Sequence, residues 1–223
     1  MIIFASLNSE WCSLMRAAFA NSPNVRVVAG DVRSIPQHNT VFVSPANSLG
    51  FMDGGIDLAL SRDIFPRIQR RVQERIRRIG LQTALGRYYL PVGSAIYIPV
   101  PDTYSGLVVA PTMFLPHTVS HTQNAYWSAV AAFMMHKKCF PVADLVLTSH
   151  CCGWGGMSAA DSVEQMKRAY EDVLAGNTPP VLKEEDDMLL LPNRDDEQPD
   201  NYDNREIKEL TITTNDYVKT LMK

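Results

Sequence analysis

The sequence predicts a layered α/β fold. Three observations carry that prediction. Short apolar runs alternate with longer segments of helical period along the first 175 residues. The apolar runs are too short for helices and rich in Val, Ile, Leu and Phe. Glycine or Asn/Asp clusters follow several of those runs, where a chain leaving a buried strand must turn.

The elements follow in order. Ile2 to Ala5 reads as a buried strand, and Trp11 to Ala20 as a helix with Leu14, Met15, Ala18 and Phe19 on one side. Val25 to Ala29 is a second strand closed by Gly30-Asp31, and Val41 to Ser44 a third. A loop from Pro45 to Gly55 carries Gly50, Gly54 and Gly55. A helical stretch begins near Ile56 and is interrupted at Pro66. Its second half, Arg67 to Ile79, sets Ile68, Val72, Ile76 and Ile79 at steps of three and four and ends at Gly80. Ser94 to Ile98 and Gly106 to Ala110 read as strands, and Asn124 to Lys138 as a helix. Asp144 to Thr148 is a further buried strand running into a second glycine-rich loop, and Ala159 to Leu174 is the closing helix. No internal repeat is visible.

Composition narrows the classes. With 223 residues and 46% hydrophobic content the chain can bury one sizeable core. A formal net charge of −3 gives no whole-chain argument for nucleic-acid or membrane binding. No apolar run approaches the ~20 residues that span a bilayer, and the N-terminus lacks a basic, cleavable leader. The expectation is a soluble, cytoplasmic or otherwise intracellular protein. Of the four cysteines, Cys151 and Cys152 are adjacent and no CxxC spacing occurs, so free thiols are expected.

From Gly176 the composition shifts. Glu184 to Asp187 and Asp195 to Glu197 flank a small apolar island, Met188 to Pro192. Residues 176–223 therefore read as an acidic extension, partly disordered or packed on the domain of residues 1–175, with a short helix expected over Tyr217 to Met222.

Two loops carry candidate chemistry. The first runs Asn47-Ser48-Leu49-Gly50, then Asp53-Gly54-Gly55-Ile56-Asp57 at a helix start. Glycines let a backbone approach a ligand and turn its N–H groups inward. A helix N-terminus favours anions. The second runs Ser149-His150-Cys151-Cys152-Gly153-Trp154-Gly155-Gly156-Met157, with Ser158 or Asp161 placed to cap the helix that follows. Taken singly, each glycine cluster is equally a tight strand-to-helix turn.

In these residues the sequence resembles the macrodomain family. An Asn ends a buried strand a few residues before a Gly-Gly-Ile-Asp run, here Asn47 and Gly54-Gly55-Ile56-Asp57. A late strand ends in a glycine-rich loop, here Gly153 to Met157, and a Gly-Asp-Val ends the second strand at Gly30-Asp31-Val32. The stretch Ala110-Pro111-Thr112-Met113 is a weaker fourth match. The resemblance covers roughly Met1 to Ala175. It departs at Asp53, where many members have a third glycine, and at Cys152, where Thr or Ser is common.

The resemblance implies a three-layer α/β/α fold with a mixed central sheet and ADP-ribose as ligand, with no cofactor. Asp31 and Val32 would hold adenine. Cys152, Gly153, Trp154, Gly155, Gly156 and Met157, with Gly54, Gly55 and Ile56, would hold the diphosphate. Asn47 and Asp57 would flank the distal ribose. Three functions fit: hydrolysis of an ADP-ribosyl linkage on a macromolecule, with Asn47 and Asp57 as the catalytic pair; binding of ADP-ribose without turnover; and removal of phosphate from ADP-ribose 1″-phosphate.

Two features stand outside that scheme. His150, Cys151 and Cys152 hold metal-binding residue types, but adjacent ligands cannot easily face one ion and no further ligand lies at a recognisable spacing, so no metal is expected. The helix from Arg67 to Arg78 carries six arginines against one acid, Glu74. That is either a solvated face, a contact for nucleic acid or another anionic partner, or a surface masked by the acidic extension.

Overall fold

The computed structural model describes residues 1–100 and 105–176. Both the acidic extension beyond Gly176 and the helix expected over Tyr217 to Met222 lie outside the described residues. The elements are β1 (Ile2–Ser6), α1 (Ser9–Ala18), β2 (Val25–Ala29), β3 (Thr40–Ser44), α2 (Gly55–Leu58), α3 (Ile68–Ile79), β4 (Leu81–Gln82), β5 (Tyr88–Tyr89), β6 (Ile96–Val100), β7 (Ser105–Val109), α4 (Asn124–Cys139), β8 (Asp144–Leu147) and α5 (Ala159–Val173).

Six strands form one sheet in the order β2-β1-β8-β3-β7-β6. The pairs from β2 through β7 are parallel, and β6 runs antiparallel to β7 at the edge. The sheet is therefore mixed. Pro99 lies in β6, an edge strand, where a missing N–H costs no ladder bond on the open side.

Side chains alternate across the sheet with period two and build two apolar layers. Phe4, Val41, Val43, Leu145 and Leu147 face α1, α4 and α5. Ile3, Phe42, Leu107, Val109 and Val146 face the side where Leu60, Ile64, Ile68, Val72 and Ile76 pack. Helices on both faces of the sheet make three layers, α/β/α.

Local chemistry sets the element ends. Asn8 caps α1 by accepting from the Trp11 N–H at 3.0 Å. Ser158 caps α5, its Oγ accepting from the Asp161 N–H at 3.0 Å. The helix expected across residue 67 starts one residue later. Arg67 itself sits in the left-handed region, at φ 69°, where the chain turns from Pro66 into α3. Between α2 and α3 the chain makes a wide π-type turn, Ala59–Ile64. The strand expected from Ser94 begins at Ile96, because Gly93 (φ 91°) and the Ser94 N–H to Pro91 carbonyl bond of 3.1 Å close a turn just before it. The hairpin β4–β5 was not foreseen.

Because β1, β2, β3, β7 and β8 are parallel, their C-terminal ends share one edge of the sheet. Crevices at that edge are where open α/β sheets commonly bind ligands.

Candidate functional site

Both glycine-rich loops leave that edge, one from β3 and one from β8. The first is built around Asn47. Its side chain is buried, with Oδ1 accepting from the N–H groups of Leu49 (3.1 Å) and Phe51 (3.3 Å) and Nδ2 donating to the Phe51 carbonyl (3.0 Å). The amide thus closes the loop on itself. Outside it, Asn47 bridges to Met113, and Ser48 N–H donates to the Met113 carbonyl at 2.8 Å. Met52 N–H donates to the Gln69 Oε1 of α3 at 2.7 Å. Gly50 is at φ 72°, and a Cβ there would stand 2.8 Å from Ile76 Cδ1, so the loop lies directly on α3.

Asp57 follows in the first turn of α2, opposite the end of β3. Ser44, fully buried, donates its Oγ hydrogen to Asp57 Oδ1 at 2.6 Å. Although the residue keeps some exposed surface, its carboxyl is enclosed. Burial pushes its pKa up to about 7; the Ser44 hydrogen bond pulls it down and the nearby Asp53 charge adds to the rise. Such a group exchanges a proton near neutrality.

The second loop is tied to the body from below. Ser162 of α5 accepts from the Trp11 indole N–H (3.2 Å) and donates to the His150 carbonyl (2.8 Å). Ser149 and Ser6 share a hydroxyl hydrogen bond of 3.1 Å. His150 is completely buried, and neither ring nitrogen meets a hydrogen-bond partner among the described residues. Burial drives its pKa down to about 3, so it is neutral. Cys151 takes φ 64°, and its carbonyl accepts the Met157 N–H at 3.0 Å. A Cβ on Gly155 would stand 2.5 Å from that carbonyl oxygen, so only glycine fits there. Met157 is buried in the core, and Cys152, half-buried, turns its thiol toward the His150 carbonyl at 3.6 Å. All four cysteines are free thiols.

The remaining glycines differ. Gly54 is extended (φ −147°), and a Cβ on it would meet only the Trp154 Nε1, at 3.5 Å. The two loops therefore face each other, and Trp154, 69% exposed, reaches from one to the other. Gly55 and Gly153 each front open space, with nothing within 4 Å of a built Cβ. Gly55 has a conformational reason to be glycine, at φ 55°; Gly153 does not.

Asp31 caps a 3-10 turn, Val32–Ser34, with Val32 buried beneath. Its Oδ1 accepts from the Arg33 N–H and Nε, both at 2.9 Å, and Arg33 also pairs with Oδ2. The Arg33 guanidinium holds its pKa at about 2, so the carboxylate is fully ionised. Arg33 reaches Asp63 as well, at 2.9 Å. Ile56 is partly buried at the start of α2.

The residues singled out for ADP-ribose thus lie on segments leaving one sheet edge. Ser44 and Gln69 were missed, because their roles depend on partners 13 and 17 residues away. Among the described residues no group of three or more His, Cys, Asp or Glu is arranged to hold a metal ion, and no helix is long and apolar enough to cross a membrane.

No family profile matches the chain. An uncharacterised protein of Aquifex aeolicus is 28% identical over 151 residues, spanning 65% of this chain and 82% of that one. Among solved structures, the macrodomain of Mycobacterium tuberculosis DarG superposes with a TM-score of 0.51 at 15% identity, over 64% of this chain and 87% of that chain. Thermosipho africanus DarTG, solved in complex with ADP-ribose, gives a TM-score of 0.52 at 15% identity, over 80% of this chain and 55% of that chain. With the strand order and the three layers already described, these likenesses show that the chain has the macrodomain fold.

Proposed function

We propose that the chain binds ADP-ribose between its two glycine-rich loops and hydrolyses an ADP-ribosyl linkage on a macromolecule. The observation that carries the binding reading is Gly153. Neither backbone conformation nor a packed neighbour requires glycine there, and the residue faces open space. A missing side chain that the fold does not need leaves room for something to approach the backbone. Gly54, on the facing loop, is likewise not required to be glycine by its backbone, and a Cβ there would meet only Trp154 Nε1 at ordinary contact distance. The complex of Thermosipho africanus DarTG with ADP-ribose supplies the ligand class.

In this reading the diphosphate lies against the backbone of Gly54, Gly55, Ile56 and of Cys152 to Met157, under Trp154. Asp31 and Val32 take the adenine end. Arg33 already engages both Asp31 oxygens, so an adenine amino group would use their remaining lone pairs. Asn47 shapes the distal-ribose side through the loop it closes. Asp57 supplies the chemistry. As a carboxylate it accepts a proton from a water attacking the anomeric carbon, and the macromolecule's linking atom departs with the ribose bond's electrons. A pKa near 7 suits that exchange.

Calorimetric titration with ADP-ribose tests binding, and incubation with ADP-ribosylated protein or nucleic acid tests release. Binding with Asp57-dependent release is expected. Binding without release reduces the protein to an ADP-ribose reader, and no binding overturns the proposal.

A further inference from the structure

Ser44 is a polar residue on an apolar face. Phe42, two residues before it, packs in the layer of Leu60, Ile64 and Ile68, and the period of two puts Ser44 on the same side of the sheet. It is fully buried in β3, an interior strand, where a hydroxyl without a partner is costly. Its backbone is fixed by β7: it pairs with Val109, and its carbonyl accepts the Ala110 N–H at 3.0 Å. The hydroxyl donates to Asp57 Oδ1 at 2.6 Å. A rigid strand thus holds a donor against the carboxyl that serves as base in the proposed hydrolysis.

The second carboxyl oxygen is left over. Oδ2 has no hydrogen-bond partner among the described residues, and Asp57 keeps some accessible surface. The charge acting on Asp57 is that of Asp53, in the loop before α2. On the π-type turn after α2, Arg62 pairs with Asp63 at 2.8 Å and Asp63 with Arg33 at 2.9 Å. Among the described residues no cation pairs with Asp57, so the Ser44 hydroxyl is what favours its charged form.

We propose that Ser44 is a positioning residue for Asp57: by holding Oδ1 from a fixed strand it sets the plane of the carboxyl and leaves Oδ2 as the oxygen that takes a proton from the attacking water. The role in turnover rests on the proposed hydrolysis; the pairing itself does not. As Oδ2 takes the proton, the water oxygen bonds to the anomeric carbon, and the linking atom leaves with the electron pair of the broken bond. A donor at Oδ1 acts on that step in two ways. It stops the carboxyl from rotating, so the base is already oriented when the water arrives. It also stabilises the carboxylate over the acid, which opposes burial and keeps proton exchange near neutrality.

The test reads the Asp57 carboxyl directly, with turnover beside it. The full chain is labelled with carbon-13 at its aspartate carboxyls, and the Asp57 resonance is identified by its loss in Asp57→Asn. In the parent it should titrate near pH 7. In Ser44→Ala the midpoint should move up to about 8, as for loss of one charge-assisted hydrogen bond. Release of ADP-ribose from ADP-ribosylated protein should follow, about tenfold slower than the parent at about pH 6 and still severalfold slower on the plateau at about pH 9. Ser44→Thr keeps the hydroxyl and should restore the parental midpoint and pH profile. Two results overturn the inference. One is a midpoint in Ser44→Ala equal to that of the parent. The other is a pH profile that falls uniformly and keeps its shape, as a merely structural loss would give. If Ser44→Ala moves the midpoint and the parent releases no ADP-ribose, the pairing stands and the hydrolase reading alone falls.

Discussion

Trp154 and Gly54 leave different strands, a hundred residues apart, yet the Trp154 indole nitrogen stands 3.5 Å from where a Gly54 Cβ would be. The contact joins the two loops at their tips, while most of the Trp154 surface remains exposed. An indole so placed contributes little to the core. Trp154→Ala should leave the melting temperature within about 2 °C of the parent, as surface substitutions do, while ADP-ribose affinity falls about tenfold. Intrinsic fluorescence offers a direct reading, since ADP-ribose should perturb emission in the parent and less so in the variant. Unchanged affinity would place the ligand elsewhere.

Gly153 and Gly155 are two residues apart and glycine for opposite reasons. A Cβ at residue 155 would collide with the Cys151 carbonyl and Val119, so Gly155→Ala should destabilise the fold by about 1–3 kcal/mol and disorder the loop. At residue 153 a Cβ meets nothing. Gly153→Ala should fold with unchanged stability and Gly153→Val nearly so, with ADP-ribose affinity dropping progressively from Ala to Val. Thermal melts beside calorimetry separate the two glycines, and equal affinity in parent and Gly153→Val would remove the main support for the binding reading.

The layered fold was legible because Ile2 to Ala5, Val41 to Ser44 and Asp144 to Thr148 are apolar on both faces, as only doubly covered strands are. Both loops were legible as glycine clusters at strand ends. What each glycine does was not, because collision at Gly155 and open space at Gly153 arise from partners brought in by folding. Ser44 read as the last residue of a strand, and its bond to Asp57 exists only once α2 folds back over the end of β3. The β4–β5 hairpin was invisible for a different reason: strands of two residues are too short to show any period.

Asn47 was singled out for the ribose, and most of its side-chain hydrogen bonding closes its own loop. Three hydrogen bonds to Leu49 and Phe51 are buried with it. Asn47→Ala should therefore cost about 2–3 kcal/mol of stability by stranding those groups, visible in urea unfolding. Affinity for ADP-ribose should fall with it, because the loop loses its shape. A residue that only touched the ribose would lower affinity and leave the unfolding midpoint in place.

Under the proposed mechanism Asp57 makes turnover, as well as stability, depend on pH. The proposed hydrolysis uses its carboxylate as base, so release of ADP-ribose should rise with pH up to about 7 and then level off. Asp57→Asn should abolish it while keeping the Ser44 hydrogen bond. Stability runs the other way. The unfolded carboxyl ionises near 3.8 and the folded one near 7, so the folded chain holds an extra proton between them. Stability from this group is fullest below the unfolded value, declines as pH rises through that window, and is flat above it. Asp57→Asn should be more stable than the parent at pH 8, on the order of 2 kcal/mol, and equal to it near pH 4.

His150 imposes the opposite slope at acid pH. Its imidazole is sealed between the second loop and the core with no partner for either nitrogen among the described residues, and its pKa falls from 6.5 to about 3. Between those values the unfolded chain takes up a proton that the folded chain refuses. Stability is therefore full above about pH 6.5 and is lost as pH falls toward 3, by roughly 3–5 kcal/mol. His136, whose pKa is also lowered by burial, adds to the same trend. Replacing His150 separates them. His150→Leu removes two unpartnered polar atoms at similar volume, so it should be as stable as the parent at pH 7.5 or slightly more so. It should retain clearly more stability at pH 5, read as a smaller fall in melting temperature between the two pH values. A variant that loses stability in parallel with the parent would mean that His150 finds a proton acceptor in the folded chain and titrates normally.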